Sequence, residues 1–104
     1  MALLRLSRSA KSDLLSIGAY TLQTWGAAQA ERYLDGIERC AKLLADNPLL
    51  GRPCNWIRPG LCRFEKGRHV LFYRRDGDGI LISRILHQSM LPEEQAFEDA
   101  APET

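Results

Sequence analysis

With 104 residues, 45% hydrophobic and 26% charged, the chain has the composition of one soluble globular domain, not of a disordered or fibrous polypeptide. Its longest uncharged stretch, residues 14–30, has 17 residues that include Gly, Ser, Thr and two Gln, too few and too polar to cross a bilayer, and no secretory pattern opens the sequence. The formal net charge is +1, yet residues 51–90 hold eight basic and three acidic side chains, whereas residues 91–104 hold five acids and no base.

Residues 2–6 (Ala-Leu-Leu-Arg-Leu) read as a short strand. Ser7 follows as a helix N-cap, its hydroxyl placed to accept from a free N–H of the first turn. Ala10, Leu14, Ile17, Thr21 and Trp25 step along one helical face, with Leu14 and Ile17 as core positions, and Gly26 ends the helix. A second helix starts almost at once. Ala30, Tyr33, Leu34, Ile37, Ala41, Leu44 and Ala45 mark its apolar stripe, and Cys40 belongs to its core side. Its polar face offers the ion pairs Asp35–Arg39 and Glu38–Lys42, four residues apart. Gly36 costs about 1 kcal/mol against Ala in mid-helix, which points either to a close neighbouring helix or to simple tolerance. Asn47-Pro48 stops the helix, and the short link between the two helices makes them an antiparallel hairpin.

After a Pro- and Gly-rich loop at 48–56 the period changes to that of strands. Residues 57–65, 68–75 and 80–87 form a three-stranded antiparallel meander, with turns at Lys66-Gly67 and at Asp76-Gly77-Asp78-Gly79. Pro92-Glu93-Glu94 opens a short helix. The fold class is therefore α+β: an N-terminal strand, a helical hairpin and a meander in one domain over residues 1–90, followed by an acidic tail over residues 91–104. Alternation puts Val70 and Phe72 on one sheet face and Leu71 and Tyr73 on the other, and it opposes Ile80 and Ile82 to Leu81 and Ile85. Both faces are partly apolar and the hairpin covers one, so the acidic tail or a partner is expected on the other.

No phosphate loop, dinucleotide fingerprint, HExxH or G-x-S-x-G motif is present. The three cysteines (Cys40, Cys54, Cys62) and two histidines (His69, His87) lack metal or disulfide spacing, so the expectation is a cytoplasmic chain with reduced thiols, no metal and no cofactor. Asp13 and Asp46 read as helix-start and helix-end residues. Eleven of the fourteen basic residues are Arg, whose planar fork suits carboxylates and phosphates. The basic second half is read either as a solvated sheet face or as a surface for an acidic partner or nucleic acid. One catalytic constellation is conceivable: Arg63, Glu65 and Arg84 converging on one sheet face with His87 at its rim and Arg68 on a neighbouring strand. Arg would hold a phosphodiester while His or Glu moves a proton, as in a metal-free ribonuclease. The plainer reading makes His87 a strand-end residue with a structural hydrogen bond.

The order of these elements, together with Leu6-Ser7, Asp13-Leu14, Trp25-Gly26, Asn47-Pro48, Ile57-Arg58-Pro59-Gly60, Gly67-Arg68-His69-Val70, Phe72-Tyr73-Arg74 and the run from Ile85 to Met90, resembles the RelE/ParE toxin superfamily, and its ParE branch specifically, over residues 3–90. The sequence departs from that branch at Leu91-Pro92, where an acid is common. The resemblance implies the toxin of a type II toxin–antitoxin pair that inhibits DNA gyrase without catalysis of its own. It also implies a hetero-oligomer with a ParD-like antitoxin, no membrane, and contact with DNA only through antitoxin or gyrase. The binding surface expected on that basis comprises Arg58, Arg63, Arg68, Arg74, Arg84, His87, Gln88, Met90, Leu71 and Tyr73. The alternatives are a ribosome-dependent messenger-RNA nuclease using His87, Arg63, Glu65 and Arg84, and a non-toxic member that only binds antitoxin.

Overall fold

The computed structural model describes residues 3–98. Ala2 of the expected first strand, and Asp99 and Glu103 of the acidic tail, lie outside them. Strand β1 (Leu4–Leu6) leads into Ser7, which is fully buried. The Ser7 hydroxyl accepts from Ala10 N at 3.0 Å and donates to Ser83 O at 2.7 Å, so it both caps helix α1 (Arg8–Trp25) and ties the helix start to the sheet. Gly26, at φ 91°, lets helix α2 (Ala27–Asp46) begin directly and turn back along α1. Ala10, Ile17 and Thr21 of the expected α1 face are buried. Leu14 is only partly buried against the core, and Trp25, one turn beyond Thr21, is 69% exposed. The α2 stripe buries Ala30, Ile37, Cys40, Ala41, Leu44 and Ala45. Opposite Gly36 stands not a helix but the Lys66 side chain, whose Cε would lie 3.2 Å from an added Cβ.

Strands β1, β2 (Arg52–Pro53), β3 (Cys62–Lys66), β4 (His69–Asp76) and β5 (Gly79–His87) run in the order β1-β5-β4-β3-β2, with β1 parallel to β5 and the other pairs antiparallel. Strands β4 (His69–Asp76) and β5 (Gly79–His87) match the sequence reading within a residue. The expected strand over 57–65 forms only at its end, as β3 (Cys62–Lys66), because Pro59 and Gly60 shape a loop instead. A two-residue strand, β2 (Arg52–Pro53), pairs with it at the sheet edge.

The register of β4 and β5 jumps between Phe72↔Arg84 and Tyr73↔Ile82, leaving Ser83 as an extra residue. This bulge corrects the alternation expected for β5. Ile85 does not share a face with Leu81; it joins Ile80, Ile82, Leu71 and Tyr73 beneath the helices. Leu86 falls instead on the second face with Val70, Phe72, Cys54 and Leu61.

That second face is closed from within the chain. The loop carrying Cys54, Ile57 and Leu61 covers part of it. Beyond a single 3-10 turn (Pro92–Glu94), Phe97 packs edge-on against Phe72 with ring centroids 5.3 Å apart. Glu98 completes the strap: its Oε1 accepts from Ser9 N at 2.7 Å and Ser9 Oγ at 2.6 Å, and its carbonyl accepts from Ser83 Oγ at 3.1 Å. The Phe97→Ala variant is expected to lose about 3 kcal/mol of unfolding free energy. Urea unfolding followed by circular dichroism checks this; a midpoint equal to that of the unaltered chain would remove Phe97 from the core.

Candidate functional site

The hairpin and the sheet diverge toward the end of β5, leaving a groove of about 730 Å3. Its walls are Ile17, Thr21 and Tyr33 from the helices and Ile85 from the sheet. Tyr20 (66% exposed) and Trp25 (69% exposed) stand at its rim, and Met90 belongs to the opposite wall. Arg68 and the two imidazoles supply its polar end.

These polar groups are ordered by the strand ends. The Tyr33 hydroxyl lies 2.6 Å from His69 Nδ1 and accepts from Arg68 N at 3.2 Å. Gly67, at φ 61°, brings this turn so close to Tyr33 that an added Cβ would sit 2.9 Å from its ring. His69 and His87 are paired in register across β4 and β5 and meet edge to face at 5.3 Å. Ser89 N donates to His87 Nδ1 at 3.1 Å and Ser89 Oγ lies 2.7 Å from the same nitrogen, which makes Nδ1 the acceptor. Burial, and then the neighbouring His87, lower the His69 pKa, with Asp13 acting weakly the other way.

The expected surface residues divide into distinct places. Leu71 and Tyr73 are fully buried, so they leave the binding surface and belong to the core. Tyr73 is anchored there by its hydroxyl, which donates to Pro48 O at 2.7 Å and accepts from Gly51 N at 2.8 Å. Arg84 is bound to α1: Nε and Nη2 donate to the two Asp13 oxygens at 2.8 and 2.9 Å, and both side chains are 14% exposed. Asp13 Oδ2 also accepts from Ile85 N at 2.9 Å, and Arg84 Nη1 donates to Ala96 O at 3.2 Å. The hydrogen bonds to Asp13 raise the Arg84 pKa, against the opposing effect of burial. Asp13 is thus no mere helix-start residue; sequence reasoning missed it because its partner lies 71 positions away.

Arg68, Gln88 and Met90 are exposed, and His87 is half-buried. Arg63 lies on the second face, its guanidinium carbon 5.6 Å from the centre of the Phe72 ring. Arg74 shares that face by alternation, and half-buried Arg58 belongs to the loop that covers it. Glu65 is held by Arg52 at 2.7 Å and is 4.0 Å from Arg63. The structure therefore brings His87 near Arg68 on one side and Arg63 on the other, but gathers neither Glu65 nor Arg84 around it. Among the described residues no group of three or more His, Cys, Asp or Glu side chains forms a cluster able to hold a metal. Burial raises the pKa of all three thiols, that of Cys54 to about 11, and so lowers the thiolate fraction of each.

Two outcomes follow from these contacts. Asp13→Ala strands the Arg84 guanidinium and is expected to cost about 3 kcal/mol in urea unfolding; a loss below about 0.5 kcal/mol, the scale of a surface pair, would contradict the structural role. His69 has a folded-state pKa below its unfolded value, so the unfolded chain binds more protons between the two. Stability is fully present above the unfolded value of about 6.5 and is lost as pH falls through that window. The Glu98 carboxylate is also held low, chiefly by the Ser9 hydroxyl, and its contribution fades only below the ordinary Glu range. Urea midpoints measured between pH 7.5 and 5 should fall in the unaltered chain and flatten in His69→Gln.

A family of known sequences matches this arrangement. Residues 4–92 fit the sequence model of the ParE toxin of the type II toxin–antitoxin system parDE. The chain is 43% identical over 86 residues to Toxin ParE1 of Caulobacter vibrioides, covering 83% of this chain and 88% of that one. It is 42% identical over 86 residues to Toxin ParE1 of Mycobacterium tuberculosis, covering 82% and 88%. Toxin ParE of Escherichia coli is 33% identical, covering 82% and 84%. Among solved structures, a chain of the chromosomal ParDE system from P. aeruginosa superposes with a TM-score of 0.71 at 27% identity, covering 84% of this chain and 96% of that one. With its family match and three relatives above 30% identity, the chain belongs to the ParE toxins of type II toxin–antitoxin systems.

Proposed function

We propose that this ParE toxin acts by binding rather than by cleavage, that it inhibits DNA gyrase in the cytoplasm, and that a ParD-like antitoxin neutralises it as a hetero-oligomer. The observation that carries the reading is the groove: an apolar cleft with exposed Tyr20 and Trp25 at its rim and Arg68 at its polar end. Such a cleft suits an amphipathic helix that lays apolar side chains along Ile17, Thr21 and Tyr33 and turns an acidic flank toward Arg68. The solved relative's description as a ParDE system supports an antitoxin as that helix's source. The exposed Arg68-to-Met90 end and, on the second face, Arg58 and Arg74 are then the surface offered to gyrase.

The ribonuclease alternative needs Arg84 and Glu65 at liberty beside His87. Asp13 and Arg52 hold them at 2.8 and 2.7 Å instead. The direct test incubates the purified chain with gyrase, ATP and relaxed plasmid. Loss of supercoiling, relieved by the antitoxin, is expected, and Arg68→Ala should weaken it by about tenfold, the scale of one charged hydrogen bond. If folded toxin leaves supercoiling intact while messenger RNA is cut in a ribosome-containing extract, and His87→Ala abolishes the cut, the nuclease reading replaces this one.

A further inference from the structure

A second concavity of about 210 Å3 lies on the other side of the 87–90 turn. Val70, Phe72 and Leu86 line it with apolar surface, Arg63 adds a cation and Glu93 an acid. Its size leaves room for one side chain, not for a stretch of chain. Arg63 differs from Arg5, Arg52 and Arg84, each of which holds a carboxylate at close range. Arg5 has Asp76 at 2.9 Å, Arg52 has Glu65 at 2.7 Å and Arg84 has Asp13 at 2.8 Å. Among the described residues Arg63 reaches only the carboxylate of Glu65, at 4.0 Å, and that carboxylate is already committed to Arg52. Its Nε is buried and has no acceptor among the described residues. A buried donor of a cation without an acceptor is costly, and the cost is recovered by whichever group accepts from it.

We infer that Arg63 is an anchor for a single carboxylate side chain of the antitoxin, seated in this second cavity and separate from the groove; the inference rests on the antitoxin reading above. Charge and shape choose the ligand. The planar guanidinium, backed by the Phe72 ring at 5.6 Å, presents two parallel N–H groups to a carboxylate after a small turn of its last torsions. The apolar floor accepts the methylenes of a Glu or Asp side chain. Glu93 on the wall and Glu65 beside Arg63 repel the run of charges along a nucleic-acid backbone more strongly than one isolated carboxylate, so a single acidic side chain is favoured over a polyanion. Position chooses the source. His87 and Met90 line both the groove and the cavity, so the turn between them is a saddle. A segment leaving the groove over Met90 arrives with its next side chains above Arg63.

The test is a double-mutant cycle on the complex. Affinity for the purified ParD-like antitoxin is measured by calorimetry for the unaltered toxin, Arg63→Met and Arg63→Lys, each against antitoxins with single acids of the toxin-binding segment changed to Ala. Arg63→Met is expected to weaken binding by at least tenfold, with Arg63→Lys recovering part of it. The loss should vanish against one antitoxin variant only, because that variant already lacks the partner carboxylate. Thermal melts of the free toxins check that both variants fold. If Arg63→Met binds as tightly as the unaltered chain, or couples to no acid, the anchor is wrong while the antitoxin reading stands. If the unaltered toxin does not bind the antitoxin at all, both fall. Competition by millimolar acetate against the Arg63-dependent part of the affinity would identify a free-anion site and overturn the assignment to the antitoxin.

Discussion

The Asp13 carboxylate is the point on which the two layers depend. It accepts two bonds from Arg84 and one from Ile85 N, and Arg84 reaches on to Ala96 O. One acid on the second turn of α1 thereby fixes the end of β5, the helix above it and the strap that follows. The neighbouring bulge is held from both sides, since Ser83 O accepts from Ser7 and Ser83 Oγ donates to Glu98 O. Each partner is costly to lose because little water can replace it: both side chains of the pair are 14% exposed and Ser7 is fully buried.

The bulge explains how a small sheet serves two cores. A regular strand over 79–87 would alternate without interruption and would turn Ile85 away from Ile80 and Ile82. The extra residue at Ser83 returns Ile85 to the helices and sends Leu86 to the opposite face. The hairpin then packs on Leu71, Tyr73, Ile80, Ile82 and Ile85, while Phe97 and the 54–61 loop pack on Val70, Phe72 and Leu86. The groove opens where the first of these cores ends, and the small cavity opens where the second does. His87 stands between them as the last residue of the strand.

What could be read from the sequence was local. Ser7 as a cap, Gly26 as a helix end and the turns at Gly67 and Gly77 follow from backbone chemistry within a few residues. The α2 stripe follows from periodicity, and so does the second apolar sheet face that needed a cover. The rest was set by contacts distant in sequence. Nothing near Asp13 announces a guanidinium 71 residues on. The run Leu81-Ile82-Ser83-Arg84-Ile85 reads equally well with or without a bulge, so the faces of its second half were assigned wrongly. Tyr73 was expected on the binding surface through the family resemblance, whereas its hydroxyl is satisfied by Pro48 and Gly51 inside the fold. Arg84 looked free because a guanidinium is usually at the surface.

These commitments also determine what kind of chemistry the site supports. Acid–base cleavage of a phosphodiester requires a proton-moving group and a cation near one another and not already engaged. Here the imidazole that could move a proton spends Nδ1 on Ser89, its neighbour His69 favours the neutral form, and Arg84, the cation a nuclease would need beside it, is held away by Asp13. What remains accessible is shape and charge: an apolar cleft with Arg68 at its end, and an arginine on the far side of the saddle with a buried donor still to satisfy. A surface of that kind discriminates by side-chain size, apolar pattern and the position of single carboxylates. On the binding reading proposed above, specificity is then a matter of which groups would be left unpaired with the wrong partner.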